Sequence, residues 1–253
     1  MNRQLRLAVG VGALGFVSAG SASAATTLFF DDFSSLAVPD GGFTTIGAGQ
    51  ATSTFTSGSN TYHVYGGDRF GLNGSHLGNI DLVSPSYPEN LCDGRTCIDL
   101  DGTGVAGRRE DYFYTEQSFN LNTTDTYRLT VNADTQNRGQ TSSFFFGLLS
   151  AADPNYVVNS SSYATVPGTT FAGFHDYVFE FTLANLGLST GTSARLFFEN
   201  GSDDFSDNVG AVISSIRFEN LTAVPLPAAA WLLLSGLAGV GAFARRKRQP
   251  AAA

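Results

Sequence analysis

Residues 126–133 read Thr-Tyr-Arg-Leu-Thr-Val-Asn-Ala, so that every second residue is apolar or aromatic. In an extended strand Tyr127, Leu129 and Val131 would share one face, because successive side chains of a strand point to opposite faces of the sheet. The pattern predicts a strand with one buried face and one polar face. Such a sheet must bury its apolar face against a second layer.

Similar patterns occur on both sides of this run. Strands are predicted at residues 27–30, 62–65, 97–101, 116–121, 143–149, 177–183, 194–199 and 211–218. Residues 47–58 favour turns and weak edge strands, and helical periodicity is confined to the two ends of the chain. The expected fold is all-β, a single jelly-roll or β-sandwich ectodomain, with many of the 21 phenylalanines in its core.

Several runs in the second half of the chain resemble a galactose-binding-like jelly-roll domain. They are Cys97–Gly102, Gln117–Phe119, Tyr127–Val131, Asn137-Arg138 and the closing run Asn208–Ile216. Ser214 stands where the family usually has an aspartate. The resemblance covers about residues 90–220 and implies a jelly-roll fold more than it implies a binding site.

The N-terminal residues have the order of a secretory signal peptide. Arg3 and Arg6 precede an apolar run at residues 7–17, and the small residues at 22–24 fit a cleavage site. The apolar run is too short to span a membrane. We therefore expect residues 1–24 to be a signal peptide, cleaved after Ala24 or Ala25, and residues 25–223 to form the ectodomain.

The C-terminal residues combine a proline motif, an apolar run and a basic cluster. The motif is Val224, Pro225, Leu226, Pro227 and Ala228, and the cluster is Arg245, Arg246, Lys247 and Arg248. Between them, residues 228–244 carry no charge and would span roughly 25 Å as a helix, the low end for a bilayer core. The pattern predicts one transmembrane helix with a cytoplasmic basic end.

This three-part order resembles the PEP-CTERM class of sorting signals in its VPLPA variant. The resemblance covers residues 224–248 and implies that an exosortase-type membrane protease recognises the proline motif and cuts nearby. The protein would be held in the inner membrane before processing, and the ectodomain would then reach the cell surface or the extracellular matrix. The alternative is an ordinary single-pass anchor that is never cut.

The ectodomain is strongly acidic. Two of the 14 basic residues lie in the signal peptide and four in the tail, so eight remain against all 22 acidic residues, a net charge of −14. Nucleic acid and anionic lipid surfaces repel such a domain, so we expect no nucleic-acid partner. Cations and neutral sugars are compatible with this charge.

Cys92 and Cys97 are the only cysteines of the chain. In an exported protein a pair this close in sequence predicts a local disulfide that fixes the shape of a loop.

Two groups of carboxylates indicate a possible calcium site. Asp31 and Asp32 follow the first predicted strand, whereas Asp203, Asp204 and Asp207 precede the last. The first and last strands of a jelly roll can lie side by side, and carboxylates brought together repel unless a cation or solvent separates them. A structural Ca²⁺ and a solvated acidic loop are the two alternatives.

A sugar-binding surface would need exposed aromatic rings beside groups that bind hydroxyls. A polar segment that we expect to be a loop offers such a group, formed by Arg108, Arg109, Tyr112 and Tyr114. The alternative for the tyrosines is an edge-strand position or the rim of the core.

The sequence gives no support for a catalytic site. It lacks a G-x-S-x-G nucleophile motif, and the carboxylate pairs of glycosidases are formed in space and cannot be recognised from sequence. We therefore expect no enzyme, and predict a surface protein with a structural or adhesive role in the bacterial envelope or exopolysaccharide matrix. The alternatives are a weak binding module for a galactose-like or acidic polysaccharide and, third, a secreted hydrolase.

Overall fold

The computed structural model describes residues 25–47, 52–65, 79–102, 112–135, 142–153, 163–166, 173–201 and 210–222. All of them belong to one compact unit, Ala25–Thr222. The predicted signal peptide, sorting motif, transmembrane helix and basic cluster lie outside the described residues. Within the described part of the chain, no helix is long and apolar enough to cross a membrane.

The described residues form two antiparallel sheets of seven strands each. Sheet 1 consists of β1 (Thr26–Asp31), β2 (Phe43–Ile46), β5 (Ile80–Val83), β6 (Cys97–Asp99), β9 (Thr126–Asp134), β12 (His175–Thr182) and β14 (Val212–Asn220). Sheet 2 consists of β3 (Thr52–Ser57), β4 (Asn60–Tyr65), β7 (Tyr112–Thr115), β8 (Phe119–Leu121), β10 (Phe144–Ser150), β11 (Tyr163–Val166) and β13 (Thr192–Asn200).

The two sheets have similar strand arrangements. Sheet 1 runs β12-β9-β14-β6-β5-β2, and β1 also pairs with β14. Sheet 2 runs β11-β10-β13-β7-β4-β3, and β8 also pairs with β13. From β9 onwards most successive strands alternate between the sheets, as in a jelly roll. The predicted all-β sandwich is confirmed.

The main core lies between the sheets and combines aromatic rings with aliphatic side chains. The run at 126–133 lies in β9, where buried and half-buried residues alternate as predicted. From sheet 1 Leu129 and Val131 are fully buried, and from sheet 2 Phe113 and Phe198 stack at 4.9 Å. Burial of one such side chain contributes about 1.5–3 kcal/mol, so the core stabilises the sandwich as a unit.

Strand boundaries depart from the predictions where local contacts intervene. The strand predicted at 116–121 begins only at Phe119, because Thr115 donates a hydrogen bond to the Gln117 carbonyl and a turn separates β7 from β8. The segment containing β7 was expected to be a loop, and this expectation was wrong. β5 was not predicted, although its first three residues repeat the Ile-Asp-Leu pattern of the strand predicted at 97–101; all four of its residues are buried.

The strand at Cys97 was expected to have one buried face and one exposed face. This expectation was wrong, because Asp99 on its outer face is only 2% exposed. The loop at 84–96 folds over this face of sheet 1. Leu91 and Cys92 of the loop pack on Val83 and Val212 in a small second cluster. Sheet 1 is therefore partly covered on both faces.

Candidate functional site

A groove of about 590 Å³ lies on the outer face of sheet 1, where β1 and β14 meet the loop at 84–96. The aromatic and charged side chains that line it come from three distant parts of the chain. Phe30 and Asp32 lie at the end of β1, Arg95 lies in the loop, and Ser215 and Arg217 lie in β14. We call it the β1–β14 groove.

Strand pairing positions the aromatic residue of the groove. Phe30 is directly opposite Arg217 in the β1–β14 register, and Phe29 before it is buried in the core. Alternation therefore turns Phe30 outward, where it is 46% exposed. The guanidinium carbon of Arg217 lies 5.1 Å from the centre of the Phe30 ring, a cation–π contact of about 0.5–1 kcal/mol at an exposed site.

The disulfide loop positions the second arginine. Cys92 and Cys97 are bonded as predicted, with Cα atoms 5.6 Å apart, and both are buried. Arg95 lies inside the closed ring, where its backbone N–H donates to the Cys92 carbonyl. Its guanidinium carbon lies 5.9 Å from the centre of the Phe174 ring. The disulfide thus fixes the backbone that carries Arg95.

Three residues with positive φ angles turn the backbone of this loop towards the sheet. Asn90 and Asp93 have φ angles of 51° and 48°, and Gly94 has 72°. Asparagine, aspartate and glycine are the residues that adopt this left-handed region most readily. The local sequence therefore fits the turn that places Arg95 at the groove.

Asp32 supplies the negative charge of the groove. Its Oδ1 accepts hydrogen bonds from the Ser34 hydroxyl at 2.6 Å and the Ser34 backbone N–H at 3.1 Å. These bonds from Ser34 lower the pKa of Asp32 below its ordinary value. The carboxylate is therefore ionised at neutral pH, and the groove carries two guanidinium groups and one carboxylate.

Asp31 lies on the opposite side of the strand, in the interior. Its Oδ1 accepts from the Phe33 N–H and the Ser57 hydroxyl, both at 2.8 Å. Its Oδ2 accepts from the Asn60 side chain at 2.8 Å and the Tyr62 hydroxyl at 2.6 Å. Both oxygens are thus occupied by groups of the chain, and Asp31 ties β1 of sheet 1 to β3 and β4 of sheet 2.

The phenol of Tyr62 stays protonated beside this carboxylate. Burial raises its pKa far above the ordinary value, and the Asp31 charge and hydrogen bond raise it further. Tyr62 is fully buried, so it serves as a permanent hydrogen-bond donor at the junction of the two sheets.

The structure places Asp31 and Asp32, two of the predicted calcium ligands, on opposite sides of the chain at the end of β1. The first and last strands do lie side by side, since β1 pairs with β14. Asp31 turns inward to its four donors, whereas Asp32 turns outward into the groove. Asp203, Asp204 and Asp207 lie outside the described residues. Among the residues that the structure describes, no group of His, Cys, Asp or Glu has an arrangement that would hold a metal. The calcium site stays a prediction.

The predicted sugar-binding tyrosines are in a strand and are buried. Tyr112 and Tyr114 lie in β7 on the outer face of sheet 2, with 0% and 4% of their surface exposed. Tyr114 stacks on His63 at 5.0 Å, Arg195 lies over its ring, and burial raises its pKa. Their predicted exposure in a loop was wrong. The predicted partners Arg108 and Arg109 lie outside the described residues.

A pair of opposing carboxylates on sheet 1 was not predicted from the sequence. Asp81 of β5 is directly opposite Asp99 of β6, and both are at most 4% exposed. Thr45 donates to Asp81 at 2.6 Å, and the Asp101 N–H donates to Asp99 at 3.1 Å. The only signal was the repeated tripeptide Ile-Asp-Leu at 80–82 and 98–100. Neither carboxylate lines the groove.

No protein-family model matches the chain, and no curated protein matches it. Solved structures with a similar fold include a cyclase from Fischerella sp. TAU, 12% identical over 79% of this chain and 100% of that chain, with a TM-score of 0.38. The tandem CBM22 domain of a Paenibacillus barcinonensis protein is 11% identical over 83% of this chain and 50% of that chain, with a TM-score of 0.36.

The isomaltodextranase of Arthrobacter globiformis T6, in complex with panose, is 12% identical over 66% of this chain, with a TM-score of 0.36. The chain spans only 23% of that enzyme. At these identities and TM-scores the likenesses assign no role to any residue of this chain.

Proposed function

We propose that the chain is an exported carbohydrate-binding protein of the bacterial surface or its polysaccharide matrix, and that the β1–β14 groove is its sugar-binding site. The observation that carries this proposal is the combination in one open groove of an exposed aromatic ring, Phe30, with two guanidinium groups and an ionised carboxylate. Binding of a matrix sugar would itself give the protein an adhesive role.

The chemistry of the groove suits a sugar. A sugar ring has an apolar C–H face, which stacks on an aromatic ring, and hydroxyl groups that both donate and accept hydrogen bonds. Phe30 offers the ring, Arg95 and Arg217 offer donors, and Asp32 offers an acceptor. The volume of about 590 Å³ falls within the range of small-molecule sites, about 300–1,000 Å³.

The same groove favours binding over hydrolysis. Glycoside hydrolases use two carboxyl groups on either side of the scissile bond, about 5 to 10 Å apart. The β1–β14 groove has one carboxylate, Asp32. One of its two oxygens, Oδ1, accepts hydrogen bonds from Ser34. A pair able to act as acid and base is therefore not formed by the residues that line the groove.

Export and sorting complete the proposal. The signal peptide pattern at 1–24 and the PEP-CTERM-like pattern at 224–248 support an exported protein that an exosortase-type protease processes. The buried disulfide between Cys92 and Cys97 agrees with an oxidising compartment outside the cytoplasm.

A glycan array probed with the purified full-length protein in mild detergent tests the binding function. We expect at least one polysaccharide to bind, and the Phe30→Ala variant to lose that binding. Phe43→Ala is the matched control, because Phe43 is also an exposed phenylalanine of sheet 1, 39% exposed, but does not line the groove. An array without a binder, or binding unchanged by Phe30→Ala, would overturn the proposal.

A further inference from the structure

The two arginines of the groove differ from Arg128 of sheet 1 in how their guanidinium groups are engaged. Arg128 forms a hydrogen-bonded ion pair with Glu180, with Nε and Oε1 2.7 Å apart. Within the described residues, the guanidinium groups of Arg95 and Arg217 contact aromatic rings and have neither an ion pair nor a hydrogen bond. Both side chains are exposed, so their N–H groups face the groove or solvent.

A cation–π contact is an electrostatic attraction between the guanidinium charge and the ring. It does not take up the hydrogen-bonding capacity of the five N–H donors, which form a planar fork. The contact at 5.1 Å with Phe30 and the contact at 5.9 Å with Phe174 therefore orient Arg217 and Arg95 without using their donors. A planar fork of this kind matches the two oxygens of a carboxylate.

The charge of the groove also favours an anion. The Oδ1 atom of Asp32 accepts hydrogen bonds from the Ser34 hydroxyl and N–H. Within the described residues, Asp32 forms no ion pair with Arg95 or Arg217. The groove has one more positive than negative side chain, in an ectodomain with a net charge of −14. At physiological ionic strength distant charges are screened beyond about 8 Å, so the charges inside the groove decide which ligand it takes.

We propose, building on the sugar-binding function above, that the groove takes a sugar unit carrying a carboxylate group, as in a uronate-containing polysaccharide. Arg217 and Arg95 bind the carboxylate, and the exposed part of Phe30 contacts the apolar face of the sugar ring. Asp32 accepts a hydrogen bond from a sugar hydroxyl. Neutral sugars would leave both guanidinium groups without an anion.

The test compares an oligogalacturonate with its methyl ester, in which the same sugars carry no charge, by titration calorimetry on the full-length protein in detergent. We expect the ester to bind at least tenfold more weakly. We expect Arg217→Gln and Arg95→Gln each to lose at least tenfold in affinity for the uronate, a larger loss than each shows for the ester. Arg128→Gln is the control, because Arg128 is paired with Glu180 and lies outside the groove.

The alternative outcomes separate this inference from the proposed function. Equal binding of the uronate and the ester, with Phe30→Ala still disruptive, would overturn the carboxylate and leave sugar binding intact. Equal or tighter binding of a sulfated polysaccharide would overturn the carboxylate in favour of a sulfate. Absence of binding to every glycan would overturn both proposals. Circular dichroism and thermal unfolding of each variant would identify a loss that results from misfolding.

Discussion

Phe30 and Arg217 are directly opposite each other on β1 and β14, with the guanidinium carbon 5.1 Å from the ring centre. The pair joins the first and last strands of the sandwich, which are 187 positions apart in the chain. It leaves 46% of the phenylalanine surface exposed and the N–H groups of the arginine available to a ligand. Both residues line the groove that we propose as a sugar-binding site.

The buried carboxylate beneath the groove should stabilise the contact between the sheets. Tyr62→Phe removes the 2.6 Å hydrogen bond to Asp31, which we expect to lower the free energy of unfolding by about 1.5–3 kcal/mol, because the acceptor is a buried carboxylate. Urea denaturation measures the loss. Tyr87→Phe, at a half-buried tyrosine outside this network, is the control. Equal stability of wild type and Tyr62→Phe would contradict the role of Asp31.

The disulfide should matter for ligand binding as well as for stability. Replacing both Cys92 and Cys97 by alanine opens a short loop, which the chain-entropy model values at about 2 kcal/mol. Because Arg95 lies inside that loop, we also expect weaker binding of the uronate. Calorimetry and urea denaturation measure the two effects. Unchanged affinity in the double variant would show that the loop does not position Arg95.

Asp32 should titrate at lower pH than an ordinary aspartate. The Ser34 hydrogen bonds lower its pKa in the folded state, so their stabilising contribution is complete above the ordinary Asp range. It is lost as the pH falls through the lowered folded-state pKa. NMR titration of the Asp32 carboxyl carbon should show the shift, and Ser34→Ala should move the midpoint upward. An identical midpoint in Ser34→Ala would exclude Ser34 as the cause.

Gly210 should not tolerate a side chain. A Cβ atom there would lie 2.4 Å from the Asp101 backbone nitrogen, which is too close unless the backbone moves. We expect Gly210→Ala to lower the free energy of unfolding by about 1–3 kcal/mol through overpacking. Gly42→Ala is the matched control, since its nearest atoms would lie at 3.5 and 3.6 Å. Comparable stability of the two variants would contradict the close approach of Gly210 to Asp101.

Alternation predicted strands with one polar face, such as β9, and missed β5 and β7, which are covered on both faces. β9 shows the alternation from which the sandwich was inferred, and it is half-buried on its outer side. β5 and β7 are buried throughout, and each has only four residues, the shortest length over which alternation can be recognised. Burial on both faces depends on loops that fold over the sheets, as at Leu91 and Cys92, and tertiary contacts of that kind leave no local pattern.

The residues of the candidate site could not be predicted from the sequence as the fold could. The adjacency of the first and last strands follows from jelly-roll topology, and it brings Phe30 and Arg217 together as a pair. The aromatic-arginine chemistry was expected instead at Tyr112 and Tyr114, which are buried. The groove combines residues near positions 30, 95 and 217, and no motif in any one of these segments marks it.

Hydrogen–deuterium exchange of the full-length protein, with and without saturating oligogalacturonate, tests the central claim most directly. The groove predicts slower exchange at residues 30–34, 94–96 and 214–217 when the sugar is bound, with residues 112–115 unchanged. Protection confined to residues 112–115 would contradict the assignment of the β1–β14 groove as the binding site. Binding of the sugar without protection of any of the three groove segments would contradict it as well.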